Sequence, residues 1–110
     1  TGTVSDSKGD LRTIPMGTIT SNHTFVIADA GRSFSSDSDV TFPNSVFSAG
    51  QAISIINNSG SNIALTQGTG VTLYNTADGA TGSRVLAARG MATGIYISAS
   101  VVYLSGAGVS

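Results

Sequence analysis

Few residues of this chain could carry covalent or proton-transfer chemistry. His23 is its only histidine and it has no cysteine. A two-histidine metal site, a thiolate zinc site and a cysteine nucleophile are therefore excluded within one chain. A Ser-His-Asp arrangement would have to recruit His23, yet no serine sits in a nucleophile-elbow sequence. His23 instead reads as part of a polar turn, Ser21-Asn22-His23, ahead of a strand. Acid/base work of the glycosidase kind needs two carboxylates about 5 to 10 Å apart, and Asp29, Asp37, Asp39 and Asp78 could supply them. Asp37-Ser38-Asp39 has the spacing of part of a calcium loop, but the remaining ligand positions are missing, so it reads as a solvated turn. Asp29-Ala30-Gly31 reads likewise as a turn, the Asp accepting from nearby amides and the Gly taking positive φ. Gly68-Thr69-Gly70 and Gly106-Ala107-Gly108 neither open a helix nor precede a lysine, so they form no phosphate cradle. No catalytic residue, metal site or cofactor is expected.

Binding chemistry is better represented. The segments Asn57 to Asn62 and Thr76 to Gly82 are polar loops rich in amides, hydroxyls and carboxylates. Planar polar partners beside an aromatic platform suit a carbohydrate. The candidate glycan-binding residues are Asn57, Asn58, Asn62, Tyr74, Asp78 and Arg84.

Short strands must position these loops. Strand-like runs recur between turn residues at Thr24–Ala28, Val40–Phe42, Ala52–Asn57, Asn62–Thr66, Val71–Tyr74, Arg84–Arg89, Thr93–Ser98 and Val101–Ser105. Alternation puts Phe25 with Ile27, Ile53 with Ile55, Ile63 with Leu65, and Val102 with Leu104 on shared faces. Asn57-Asn58-Ser59-Gly60-Ser61 reads as the turn of a hairpin. This spacing predicts an all-β fold: a small antiparallel β-sandwich or jelly-roll-like barrel of about eight short strands. Residues 1–15 read as an extended N-terminal arm or linker with its first anchor at Leu11–Pro15, and residues 16–110 as one domain. The start at Thr1 rather than Met suggests an excised, processed or partial chain.

Composition narrows the classes further. Only 10% of the 110 residues are charged, none is Glu, and Lys8 is the sole lysine. An ordinary soluble domain carries roughly 25%. Ser, Thr, Asn and Gly make up 50 of the 110 residues. With a net charge of −1 and no basic cluster, a nucleic-acid partner is not expected. No apolar run approaches the roughly 20 residues that span a bilayer, and no signal-peptide pattern opens the chain. Some runs are apolar on both faces, notably Ala52-Ile53-Ile55-Ile56 and Val101-Val102-Leu104. The second face is then covered by a loop or by another subunit, and a nearly neutral surface does not oppose that.

The order of short motifs supports a more specific reading. Gly9-Asp10-Leu11-Arg12 with Ile14-Pro15, Asp29-Ala30-Gly31, Val40-Thr41-Phe42-Pro43, Phe47 and Ala49-Gly50 come first. The Ile53–Asn58 strand, Gly70-Val71-Thr72-Leu73-Tyr74, Thr81-Gly82-Ser83-Arg84 with Leu86-Ala87, Arg89-Gly90-Met91-Ala92-Thr93 and Ser105-Gly106-Ala107-Gly108 follow. From Gly9 onward the chain resembles a β-rich module near the C-termini of bacteriophage virion proteins, especially tail-fibre-like appendage proteins of marine and cyanobacterial phages. The resemblance implies a non-enzymatic virion protein, commonly a homotrimeric knob that meets host-surface carbohydrate. Other virion proteins would be contacted through the N-terminal arm. The closing Val109-Ser110 and the lack of a fibre shaft depart from that pattern. They keep open a capsid decoration or head-fibre anchoring protein with a purely structural role.

Overall fold

The computed structural model describes residues 16–110, together with the backbone of a short antiparallel pair, β1 (Ser5–Asp6) and β2 (Gly9–Asp10). The side chains of the expected arm, and the Leu11–Pro15 anchor, lie outside the described residues. The remaining strands are β3 (Met16–Ile19), β4 (His23–Thr24), β5 (Ser33–Ser36), β6 (Val40–Phe42), β7 (Ala52–Asn57), β8 (Ile63–Gln67), β9 (Thr72–Asn75), β10 (Arg84–Leu86), β11 (Met91–Ser98) and β12 (Val101–Ser105). They form a six-stranded sheet, β3-β5-β7-β11-β12-β9, and a four-stranded sheet, β10-β8-β6-β4. Their apolar faces enclose one core, so the fold is an all-β sandwich.

Both sheets are mixed rather than antiparallel as the sequence suggested: the pairs among β3 to β8 are all parallel, and β12 also pairs parallel with β9. From β3 to β8 the chain alternates between sheets. In the larger sheet β3 pairs parallel with β5 and β5 with β7. In the smaller, β4 pairs parallel with β6 and β6 with β8. Met16 lies opposite Ser33 and His23 opposite Val40, the same step along the chain. This half is therefore wound as stacked coils, each giving one strand to each sheet. β11 then pairs antiparallel with β7 and β12, and β10 antiparallel with β8.

This winding corrects the expected hairpin at Asn57–Ser61. That segment turns the chain, but β7 and β8 belong to different sheets, so it is an arch between layers. Its inner side is filled by Asn57, which is fully buried. The Asn57 amide Nδ2 donates to the carbonyls of Ser61 (2.8 Å), Leu86 (3.0 Å) and Ala87 (3.0 Å). The neighbouring arch is held by Asp39, whose carboxylate accepts the Ala64 N–H at 2.8 Å.

The strand expected over Thr24–Ala28 ends at Thr24 and gives way to a 3-10 turn, Ile27–Asp29. Phe25 enters the core, whereas Val26 and Ile27 are exposed, so Phe25 and Ile27 do not share a buried face. Asp29 closes the turn by accepting the Val26 N–H at 2.9 Å, and Gly31 follows with φ 75°. β3 and β5 were not expected. β3 carries a Gly and β5 three Ser, and they take strand form by parallel pairing, β5 with β7 and β3 with β5.

The core centres on aromatic rings between the sheets. Phe25 packs against Phe34 and Phe42, with centroids at 5.7 and 5.2 Å, and Phe47 against Tyr96 at 4.8 Å. Gly94 on β11 makes room for Phe42: a Cβ there would lie 2.7 Å from the Phe42 ring. The buried Tyr96 hydroxyl donates to the Pro43 carbonyl at 2.8 Å. Burial pushes this phenol well above the usual tyrosine pKa.

Candidate functional site

The six candidate residues fall into two sets built by different elements. Asn58 and Asn62 are exposed on the β7–β8 arch, and the Asn58 side-chain oxygen accepts a bond from Arg89 at 2.8 Å. Arg89 has φ 63° in the turn before β11. Asn57 belongs to the same arch but is fully buried, its amide committed to backbone carbonyls. The second set surrounds the β9–β10 connection. Tyr74 lies beside Tyr103, centroids 5.0 Å apart, and bridges to Thr81. The Arg84 guanidinium donates to the carbonyls of Thr81 (3.1 Å), Gly82 (3.2 Å) and Ser83 (3.0 Å). Asp78 is exposed and accepts the Ala80 N–H at 2.9 Å. Tyr74 and Arg84 thus meet through Thr81. These loop groups chiefly hold their own turns, as Asx and hydroxyl side chains commonly do.

A different polar group forms where sequence reading expected only turns. His23 opens β4, and the 3-10 turn bends Asp29 back towards it. Nε2 of His23 lies 2.9 Å from the Asp29 oxygen that also accepts the Val26 N–H. The Asp29 side chain is 9% exposed and that of His23 34%. The imidazole stands edge-on to Phe25, with centroids 5.5 Å apart. Beside it is a hollow of about 200 Å³ lined by Thr18, Ile19, Thr20, Ser21, His23, Asp29 and Phe34. Among the described residues no serine hydroxyl bonds to His23, so the pair orients an imidazole without arming a nucleophile. Nor does any group of three or more His, Cys, Asp or Glu converge to hold a metal among them. The one signal for the pair in the sequence is an Asp just after a short apolar run, too common to single out.

The broadest surface feature is the outer face of the six-stranded sheet. Strand alternation points Met91, Thr93, Ile95 and Ile97 of β11 outwards, and Ala92, Gly94 and Tyr96 inwards. Met91 is 56% exposed, Ile97 50%, Ile95 41% and Tyr103 40%. Register adds neighbours on either side. One row runs Thr18, Ser35, Ile56, Met91, and another Ala52, Ile95, Tyr103, Tyr74. Between them Met16, Ser33, Ser54, Thr93 and Ser105 form a row made mostly of hydroxyls. Ser54 and Thr93 bond to each other at 2.9 Å. No residue in these rows is charged. The smaller side chains leave a groove of about 370 Å³ flanked by Ile56 and Met91.

Among the described residues no helix is long and apolar enough to cross a membrane. Comparison with known proteins finds no matching family model, no matching curated protein and no matching solved structure.

Proposed function

We propose that this chain is a structural module of a bacteriophage virion, part of a tail fibre or similar appendage. It assembles with further copies of itself, as a homotrimer, and meets carbohydrate on the host surface. The observation that carries the assembly half is the uncharged outer face of the six-stranded sheet. Burying apolar area is worth roughly 25 cal/mol per Å², so half-exposed Met91, Ile95 and Ile97 each stand to contribute about 1 kcal/mol on association. Packing three such faces towards a common axis buries no charge, and hydroxyls that already bond to one another, as Ser54 and Thr93 do, cost little to cover. The order of short sequence motifs supports the placement on an appendage.

Antibody raised against the chain, applied to intact phage particles, tests the placement. Gold on tail appendages is the expected result, and unlabelled particles would overturn the reading. Label on the head would favour the second reading, a capsid decoration or head-fibre anchoring protein. The same uncharged face supports that alternative, because it would cover an equally apolar surface on a different virion protein. Light scattering on the purified chain tests assembly: a trimer is expected, and a monomer at working concentration rejects it.

A further inference from the structure

We infer that the hollow beside His23 and Asp29 is a binding site for one small neutral sugar unit, distinct from the loops that carry the Asn and Tyr candidates. The inference rests on the attachment half of the proposed function and is independent of assembly. The hollow holds about 200 Å³, below the roughly 300–1,000 Å³ of sites for larger ligands. It suits a single ring rather than a chain.

Its chemistry is that of a polyol receptor. Thr20 and Ser21, both exposed beside the ring, each carry a hydroxyl able to donate or accept. The His23 ring is held on one side by the Asp29 carboxylate at 2.9 Å and packed edge-on against Phe25. With Nε2 bonded to Asp29, the other ring nitrogen, Nδ1, is left for a ligand hydroxyl. Among the described residues nothing else bonds to that nitrogen. A sugar presents adjacent hydroxyls, each both donor and acceptor, and can satisfy the free ring nitrogen in either role together with a set of rotatable hydroxyls. Other ligand classes fit less well. The nearly buried Asp29 carboxylate repels an anion. A metal ion would find one histidine and one carboxylate already bonded to each other. An aliphatic group would strand the hydroxyls and the imidazole without partners. The site is also prearranged, since the turn and the core rings set the imidazole before any ligand arrives, which lowers the ordering cost.

Because His23 is the only histidine, its ring resonances are assigned without ambiguity and lie at this hollow. Isotope-labelled protein is titrated with glucose, galactose, rhamnose and N-acetylglucosamine, and with inorganic phosphate and glucuronate as charged controls. At least one neutral sugar should shift the His23 ring signals saturably, with a Kd of about 1–10 mM, while the charged controls do not. Thr20→Val and Ser21→Ala alter exposed side chains that the core does not use, and each should weaken that binding by about two- to tenfold. Absence of any His23 shift with the neutral sugars overturns the inference, as does binding unchanged in both variants. Sugar-dependent shifts confined to Asn58 or Tyr74 would reject this hollow yet leave the attachment reading standing. If no resonance of the protein responds, the attachment reading fails with it.

Discussion

The two faces of the six-stranded sheet are made by alternate residues of the same strands, yet they solve different problems. The inner face of β11 carries Ala92, Gly94 and Tyr96, a small-small-large sequence shaped to the rings of Phe42 and Phe47 opposite. The outer face carries Met91, Thr93, Ile95 and Ile97, which differ in size and, apart from neighbours on the same face, stay exposed. Inside, each side chain is selected by the space it must fill. Outside, what stands out is the shared lack of charge. A face shaped by packing should respond steeply to small changes, and one shaped by solvent or by a partner should respond through association instead.

That contrast can be broken, beginning with the largest effect. Phe42→Ala removes the ring that touches Phe25, Tyr96 and the Gly94 backbone. It should cost about 3–5 kcal/mol in denaturant unfolding. Asn57→Ala leaves the Leu86 and Ala87 carbonyls without their side-chain donor in the β7–β8 arch, and should cost about 2 kcal/mol. If Asn57 instead served only an external ligand, stability would hold while binding was lost. Tyr96→Phe keeps the ring and deletes the bond to Pro43, a loss of about 1 kcal/mol.

Tyr96 also makes stability depend on pH. Its pKa is raised in the folded protein by burial, so the folded chain holds the phenolic proton more tightly than the unfolded chain. That contribution is fully present below the unfolded value, near 10, and is lost as pH rises beyond it. Wild type should therefore weaken steadily in alkaline unfolding titrations above about pH 10, and Tyr96→Phe should flatten that decline. The smallest effect on the single chain is expected from Ile95→Lys on the outer face, within about 0.5 kcal/mol of wild type. In light scattering the same change should convert the assembled form to monomer. A variant that lost stability as heavily as Phe42→Ala would erase the distinction between the two faces.

Parts of this were legible before any coordinates. The bounds of β6, β7 and β12 agree with the runs Val40–Phe42, Ala52–Asn57 and Val101–Ser105, because there β-branched and aromatic residues cluster between turn residues. β3 and β5 were not legible. Met16-Gly17-Thr18-Ile19 and Ser33-Phe34-Ser35-Ser36 have little strand preference of their own and extend by parallel pairing, β5 against β7 and β3 against β5. Val26 and Ile27 misled in the opposite direction: an apolar pair that looks like strand interior is exposed, because Asp29 bends the chain one turn too early. In the candidate loops, the sequence identified Asn57 as a polar turn residue without showing that the turn closes over it.

By itself, the sequence determined that this chain would be all-β, because alternating short apolar runs bury their faces in a sandwich or a barrel, a choice it left open. It also determined that the surface would be poor in charge, since so few charged residues were available to place there. Only the tertiary structure decided which strands are neighbours. Turn chemistry is local and is the same for a hairpin and an arch, whereas the choice between them depends on contacts distant in sequence. That choice wound the first half into parallel coils and placed His23 against Asp29. It also left one whole sheet face of uncharged side chains turned outwards.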